Sequence, residues 1–207
     1  MAEGAENPVT AHDVLLRVLD TNPAITIVRV VLYEESKNWR DLVPDGRPSS
    51  EQLSLAIRQD PHPRSFIELS RAQLLDGSAL ELQRQLVSRQ LMGVTSSVNI
   101  DPKQRMHIPM MDFSCSPSEQ RLGALRNMLR EIGQRRGFIL ESGRSYHYYG
   151  VDLLDEERWR AFLGKCLLMK DFVDERYVGH QLVDGYCVLR LSASPLKPKV
   201  PTVATEL

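Results

Sequence analysis

The chain has 207 residues, 42% of them hydrophobic and 26% charged, with a net charge of −1. This composition suits a globular domain able to bury a core, and it excludes a protein that coats long nucleic acid through bulk charge. No run of about 18 apolar residues occurs, so no membrane span is expected. The polar N-terminus lacks the apolar centre of a signal peptide. Cys115, Cys166 and Cys187 are widely spaced and form no zinc motif, so they read as reduced thiols of a cytoplasmic protein.

Residues 1–8 read as a disordered lead. Thr10 is placed to cap a helix over 10–20, with Val14, Leu15, Val18 and Leu19 on one face. The β-branched run 24–34 predicts a central strand. Prolines and glycine in 41–50 mark a surface loop. A short helix over 50–59 follows, and the segment 61–70 starts a strand. The stretch 71–92 reads as either helix or extended chain. Strands are expected on both sides of the polar turn Asp101–Arg105.

The run Ser116-Pro117-Ser118-Glu119 opens a helix, with Ser116 as N-cap, Pro117 at the first position and Glu119 as the capping-box acid. This helix is expected to stop near Arg136-Gly137. Residues 137–142 and 145–154 then form a hairpin whose turn holds Ser142-Gly143-Arg144. Asp155 caps a helix over 156–169. An acid-rich loop with Asp171, Asp174, Glu175 and Arg176 leads to a last strand over 185–192 that contains Val188-Leu189-Arg190. The proline-rich tail is not expected to fold alone.

The order of elements predicts an α+β class, with a mostly antiparallel sheet and packed helices. The expected organisation is one domain over 9–193, followed by an extended tail over 194–207. An N-terminal α/β part occupies about 9–95 and a motif-bearing core about 96–193.

Two stretches carry chemistry. Ser142, Gly143, Arg144, Ser145 and His147 crowd into six positions at a strand–turn–strand edge. Gly143 lets backbone approach a ligand, Arg144 and His147 suit phosphate, and the serines add hydroxyl donors. The second stretch is the hydrophobic strand 108–115, which carries a lone acid, Asp112. Facing the first cluster, Asp112 points to a nucleotide site. The alternatives are a turn cap for Asp112 and a half-buried structural role for His147. His62 and His107 flank prolines and are expected to be solvated, while His180 follows the acid loop. Tyr148 and Tyr149 could stack on a base; strand alternation predicts one in the core and one at the surface.

The order of IPMMDFS, SGRSYHYYG, an acid loop and VLRLS resembles the archaeo-eukaryotic primase superfamily, the primase-polymerases, and more narrowly its bacterial primase 1D-like branch. The resemblance covers about residues 96–193. It implies a nucleotide- or nucleic-acid-binding protein with divalent-metal-dependent nucleotidyltransferase ancestry, acting on nucleoside triphosphate, nucleic acid or both. It implies that Asp112 and Asp174 hold Mg or Mn, with Asp171 and Asp184 as competitors for the second place. Ser142, Gly143, Arg144, Ser145 and His147 match the triphosphate-binding turn. Asp112, His147 and Asp174 would be catalytic. Arg190 matches the arginine of the closing strand, as a phosphate ligand or as a brace for the sheet.

Two-metal nucleotidyl transfer holds its ions roughly 3.5–4 Å apart, usually with three carboxylates. Here the sequence departs from the family, because the expected second acid is Ser114. The zinc-binding cysteines of replicative primases are absent as well. The alternative is therefore a catalytically inactive primase fold that binds or scaffolds through protein partners.

Overall fold

The computed structural model describes residues 7–34, 50, 54, 64–87 and 89–207. In chain order the elements are α1 (Ala11–Thr21), β1 (Ile27–Glu34), β2 (Ser65–Ser70), α2 (Arg71–Leu75), α3 (Ser78–Arg84), β3 (Gln90–Asp101), β4 (Gln104–His107) and β5 (Met110–Asp112). They continue as α4 (Glu119–Glu131), β6 (Gly137–Glu141), β7 (Tyr146–Gly150), α5 (Glu156–Leu167), α6 (Glu175–Asp184), β8 (Val188–Arg190) and β9 (Thr202–Glu206). The class is α+β, and every strand pairing is antiparallel.

The strands form two sheets. In the first, the order is β2-β1-β3-β4, with β8 also paired to β3. β1 is central, as its β-branched run predicts, and Val28, Val30 and Val31 are buried. In the second sheet the order is β5-β7-β6-β9. The chain crosses between the sheets at Ile108-Pro109. Ile108 still donates to Ser96 O in β3, whereas Pro109 O accepts from Gly150 N, which ends β7. Proline has no N–H with which to continue the first ladder, so the strand breaks there and β5 begins on the other sheet.

Capping explains the helix starts. In α1 the Thr10 side chain accepts from Asp13 N while Asp13 returns a bond to the Thr10 backbone, and Val14, Leu15, Val18 and Leu19 all enter the core. Asp155 caps α5 through Arg158 N, and its Trp159, Phe162, Leu163 and Cys166 are buried.

Several expectations need correction. Ser118, rather than Ser116, caps α4 by accepting from Arg121 N, and that helix ends at Glu131. The Ser118 backbone N–H also donates to the Tyr146 hydroxyl, a tertiary tie that selects this serine. The ambiguous stretch 71–92 is both helical and extended, since it contains α2, α3 and the start of β3. Much of the expected acid loop is helix α6. Residues 202–206 of the tail form β9, paired with β6. His107 is fully buried rather than solvated. Its ring stacks on Trp159 at 4.4 Å, with Nε2 3.0 Å from Glu156 Oε2 and Nδ1 3.3 Å from Ser96 Oγ. Tyr148 and Tyr149 are both in the core. The loop expected over 41–50 and the helix expected over 50–59 fall almost wholly outside the described residues, as does His62. Most of the disordered lead expected over 1–8 does too.

Candidate functional site

β5 and β7 bring the first pair together. Asp112 and His147 are register partners on adjacent strands, so their side chains share a face. His147 Nε2 lies 3.6 Å from Asp112 Oδ1. The histidine is buried, and its Nδ1 has no hydrogen-bond partner. Burial, with smaller contributions from Arg190 and Lys197, pushes the imidazole down to about 3. It is therefore neutral at ordinary pH, and the contact with Asp112 is not a charged pair. Desolvation raises the Asp112 carboxyl to about 6, and Asp174 adds to the rise; Lys197, Arg190 and a hydrogen bond with Ser145 oppose it. The Asp112 side chain is 42% exposed, so a ligand can reach it.

The acid segment is placed by a single bridge, Phe113 to Val173, and by a bond from Ser114 N to Phe172 O at 2.8 Å. Antiparallel register then sets Asp174 beside Asp112, which agrees with the electrostatic effect of one on the other. Asp174 also caps α6, accepting from Arg176 N at 3.1 Å. Of its two competitors, Asp171 is exposed and Asp184 pairs with Arg64 at 3.2 Å. Ser114 is exposed next to this segment.

The β6–β7 turn is closed on itself. Ser142 N donates to Ser145 O at 2.9 Å, and the two serine hydroxyls lie 3.1 Å apart. Gly143 has φ +113°, a region that a side chain enters only with strain. Arg144 is exposed. The serines thus build the turn, and Ser145 also hydrogen-bonds Asp112.

Arg190 stands apart from the other candidate residues. It lies in the first sheet, opposite Gly93, while Asp112 and His147 lie in the second. Only 5% of it is exposed. Its guanidinium donates to Ser192 O, to Lys199 O at 2.7 Å and to Ser142 O at 2.7 Å. It joins the two sheets and the β6–β7 turn through backbone carbonyls, which is the bracing role.

Sequence reasoning missed one residue, Lys197, and took another, Tyr149, only as a stacking ring. Lys197 sits on the segment between β8 and β9 and is exposed, yet its charge acts on both Asp112 and His147. The only available signal was the basic pair in Leu196-Lys197-Pro198-Lys199. Lys199 itself pairs with Glu141. The second group is the Tyr149 hydroxyl, which is buried without a hydrogen-bond partner and lies within electrostatic reach of Tyr33, Arg190 and Asp112. It faces the same side of β7 as His147.

The description archaeo-eukaryotic primase 1D-like belongs to a family model that matches residues 70–202. The chain belongs to this family. The matched span runs from Ser70, at the end of β2, into β9, so it includes α2, α3 and the tail that a resemblance over 96–193 left out. All of Asp112, Ser142, Gly143, Arg144, Ser145, His147, Asp174, Arg190 and Lys197 fall within it. No curated protein and no solved structure matches the chain. Membership of a primase family makes the function primase-type and nucleic-acid-related. Among the described residues no helix is long and apolar enough to cross a membrane.

The pair of metal ions that primase chemistry implies does not fit the donors of this family member. Among the described residues no three His, Cys, Asp or Glu side chains gather into a metal-holding group. At position 114, where the resemblance implies a second acid, the chain has a serine, and the Asp174 carboxylate accepts a backbone N–H at its helix start.

Proposed function

We propose that this primase-family protein binds a nucleoside triphosphate, and with it nucleic acid, where Asp112, His147 and Asp174 converge. The supporting observation is that three residues far apart in sequence meet at one junction, next to the Ser142–Ser145 turn. The charge of Lys197 acts on Asp112 and His147, and Arg144 is exposed on the turn. A buried imidazole nitrogen with no hydrogen-bond partner is a costly feature for a site with only a structural task.

Lys197 and Arg144 supply positive charge for the phosphates, and the neutral His147 stands beside the Asp112 carboxylate, its Nε2 3.6 Å away. A magnesium or manganese ion would arrive chelated by the triphosphate, with Asp112 offering it one carboxylate. That donor set supports binding better than nucleotidyl transfer, so primase or polymerase turnover is expected to be very low. Three buried, unpaired cysteines accord with a cytoplasmic protein.

The second reading, an inactive primase-fold scaffold acting through protein partners, is favoured by Ser114 and by the incomplete donor set. Calorimetry and thermal shift with ATP separate the two. Binding that is weak with chelator and stronger with manganese is expected, and at about 100 times the dissociation constant the ligand would add about 2.7 kcal/mol of stability. No binding under either condition would leave the scaffold reading.

A further inference from the structure

A pocket of about 250 Å³ opens between the end of α3 and the chain that follows β8. That is the volume of about eight waters, below the roughly 300–1,000 Å³ of sites for larger ligands. Two closed turns form its sides. On one, Gln90 N donates to Val87 O at 3.0 Å, and Gln90 Oε1 accepts from Val87 N at 3.2 Å. On the other, Ser194 N donates to Lys197 O at 2.9 Å, while Lys197 N is shared between Ser194 O and Ser194 Oγ, both at 3.1 Å. Ser192, which also lines the pocket, is 1% exposed. Its Oγ accepts from Met92 N, and its O–H is left to donate.

The lining carries one charge, the exposed Arg89. Among the described residues Arg89 makes no ion pair, and no acid lines the pocket. Arg89 is also the one described non-glycine residue with a positive φ, at +71°. Glycine would sit there without cost, and side chains held in such conformations gather at ligand sites. Leu86, Val87 and Pro195 add apolar walls, and Gln83 adds a side-chain amide.

We propose that this pocket binds a small organic anion, a carboxylate or phosphate on an apolar body, as an effector of the Asp112 site. The Arg89 guanidinium suits either anionic group. Ser192 and Gln83 supply uncharged donors, and the apolar walls take the body. The link to the site is the 194–197 turn. Its first residues, Ser194 and Pro195, line the pocket; its last is Lys197, whose charge acts on Asp112 and His147. An anion seated against Ser194 and Pro195 holds the turn, and with it Lys197. Binding stands on the pocket alone, whereas the effect on ATP rests on the nucleotide reading of the Asp112 site.

The test titrates the isotope-labelled full chain with phenyl phosphate, benzoate and inorganic phosphate, followed by NMR. One or both organic anions should shift the side-chain amides of Gln83 and Gln90 and the backbone amides of Ser192 and Lys197. The tighter of the two identifies the anionic group. Inorganic phosphate, which lacks the body, should bind about tenfold more weakly. Arg89→Gly removes the cation and relieves the backbone, so it should weaken binding about tenfold with an unchanged or raised melting temperature. Val87→Asp, at a position 64% exposed, should weaken binding by repulsion. Occupancy should tighten ATP binding about fivefold, the low end of coupling between sites. Silence of these amides toward both organic anions, or unchanged affinity in Arg89→Gly, would overturn the proposal. Shifts at Gln83 with none at Lys197 and unchanged ATP affinity would overturn the effector role. If Lys197 shifts but ATP does not bind, the pocket and its link to the turn are upheld and the nucleotide reading falls by itself.

Discussion

Replacing Arg190 with methionine separates bracing from phosphate binding. Methionine keeps the apolar stem but removes the donors that hold Ser192 O, Lys199 O and Ser142 O. Hydrogen bonds from a charged group contribute about 1.5–3 kcal/mol each. The low end applies here, because two of the three bonds are only partly buried and water can replace them. Three bonds at about 1.5 kcal/mol give a loss of about 4.5 kcal/mol. For a chain of this length, 1 kcal/mol moves the melting temperature by about 2–4 °C, so the midpoint should fall by about 9–18 °C. Thermal unfolding of Arg190→Met and Arg190→Lys, followed by circular dichroism, measures this; lysine should recover part of the loss through one or two of its donors. A midpoint within about 3 °C of the natural protein, together with abolished ATP binding, would refute the bracing role and make Arg190 a phosphate ligand.

Two further predictions concern the acids. Ser114→Asp adds a carboxylate beside the Phe113–Val173 bridge, near Asp112 and Asp174, and should tighten manganese binding as followed by calorimetry. Unchanged metal affinity with a lowered melting temperature would mean that Asp112 is structural and that the added charge only repels it. Asp112→Asn should be indistinguishable in stability from the natural protein near pH 4 and more stable above pH 6. The folded carboxyl is raised from the ordinary value to about 6, so its contribution is fully present below the unfolded value and is lost as pH rises through about 6. Solvent contact at Asp112 keeps the gap small, and a gap that does not vary between pH 4 and pH 7 would remove the desolvation argument.

Local rules located much of this fold. The Thr10–Asp13 capping box and its stripe marked α1, and the serine–glycine–arginine turn marked the β6–β7 hairpin. The strand pairing that joins Asp112 to His147 followed from two short hydrophobic runs of suitable length. What escaped was decided by contacts between distant segments. Ser116 and Ser118 are locally equivalent caps until the Tyr146 hydroxyl meets Ser118. Helix α6 has an aspartate at its start and Gly185 at its end, but it buries only Val178 and Gln181, too few to print a stripe. The division into two sheets depends on Pro109, whose effect appears only once Gly150 is seen to take its carbonyl. Lys197 could not be assigned to the site because the path that carries it there crosses from one sheet to the other.

That path sets a limit on how the sequence can vary. Residues 191–201 begin at β8, anchored by Leu191 N and Ser192 N on Met92 O, and end where Pro201 O accepts from Ala11 N. The first anchor is on β3 and the second on the start of α1, just before β9, and near the second Lys199 O accepts from Arg190. Surface connections ordinarily tolerate added or lost residues at small entropic cost. Here an insertion would lift Lys197 away from Asp112, and a deletion would pull on β9 or on β8. The segment therefore acts as a ruler whose residue count matters more than most of its side chains, and related proteins that keep the site should keep its length.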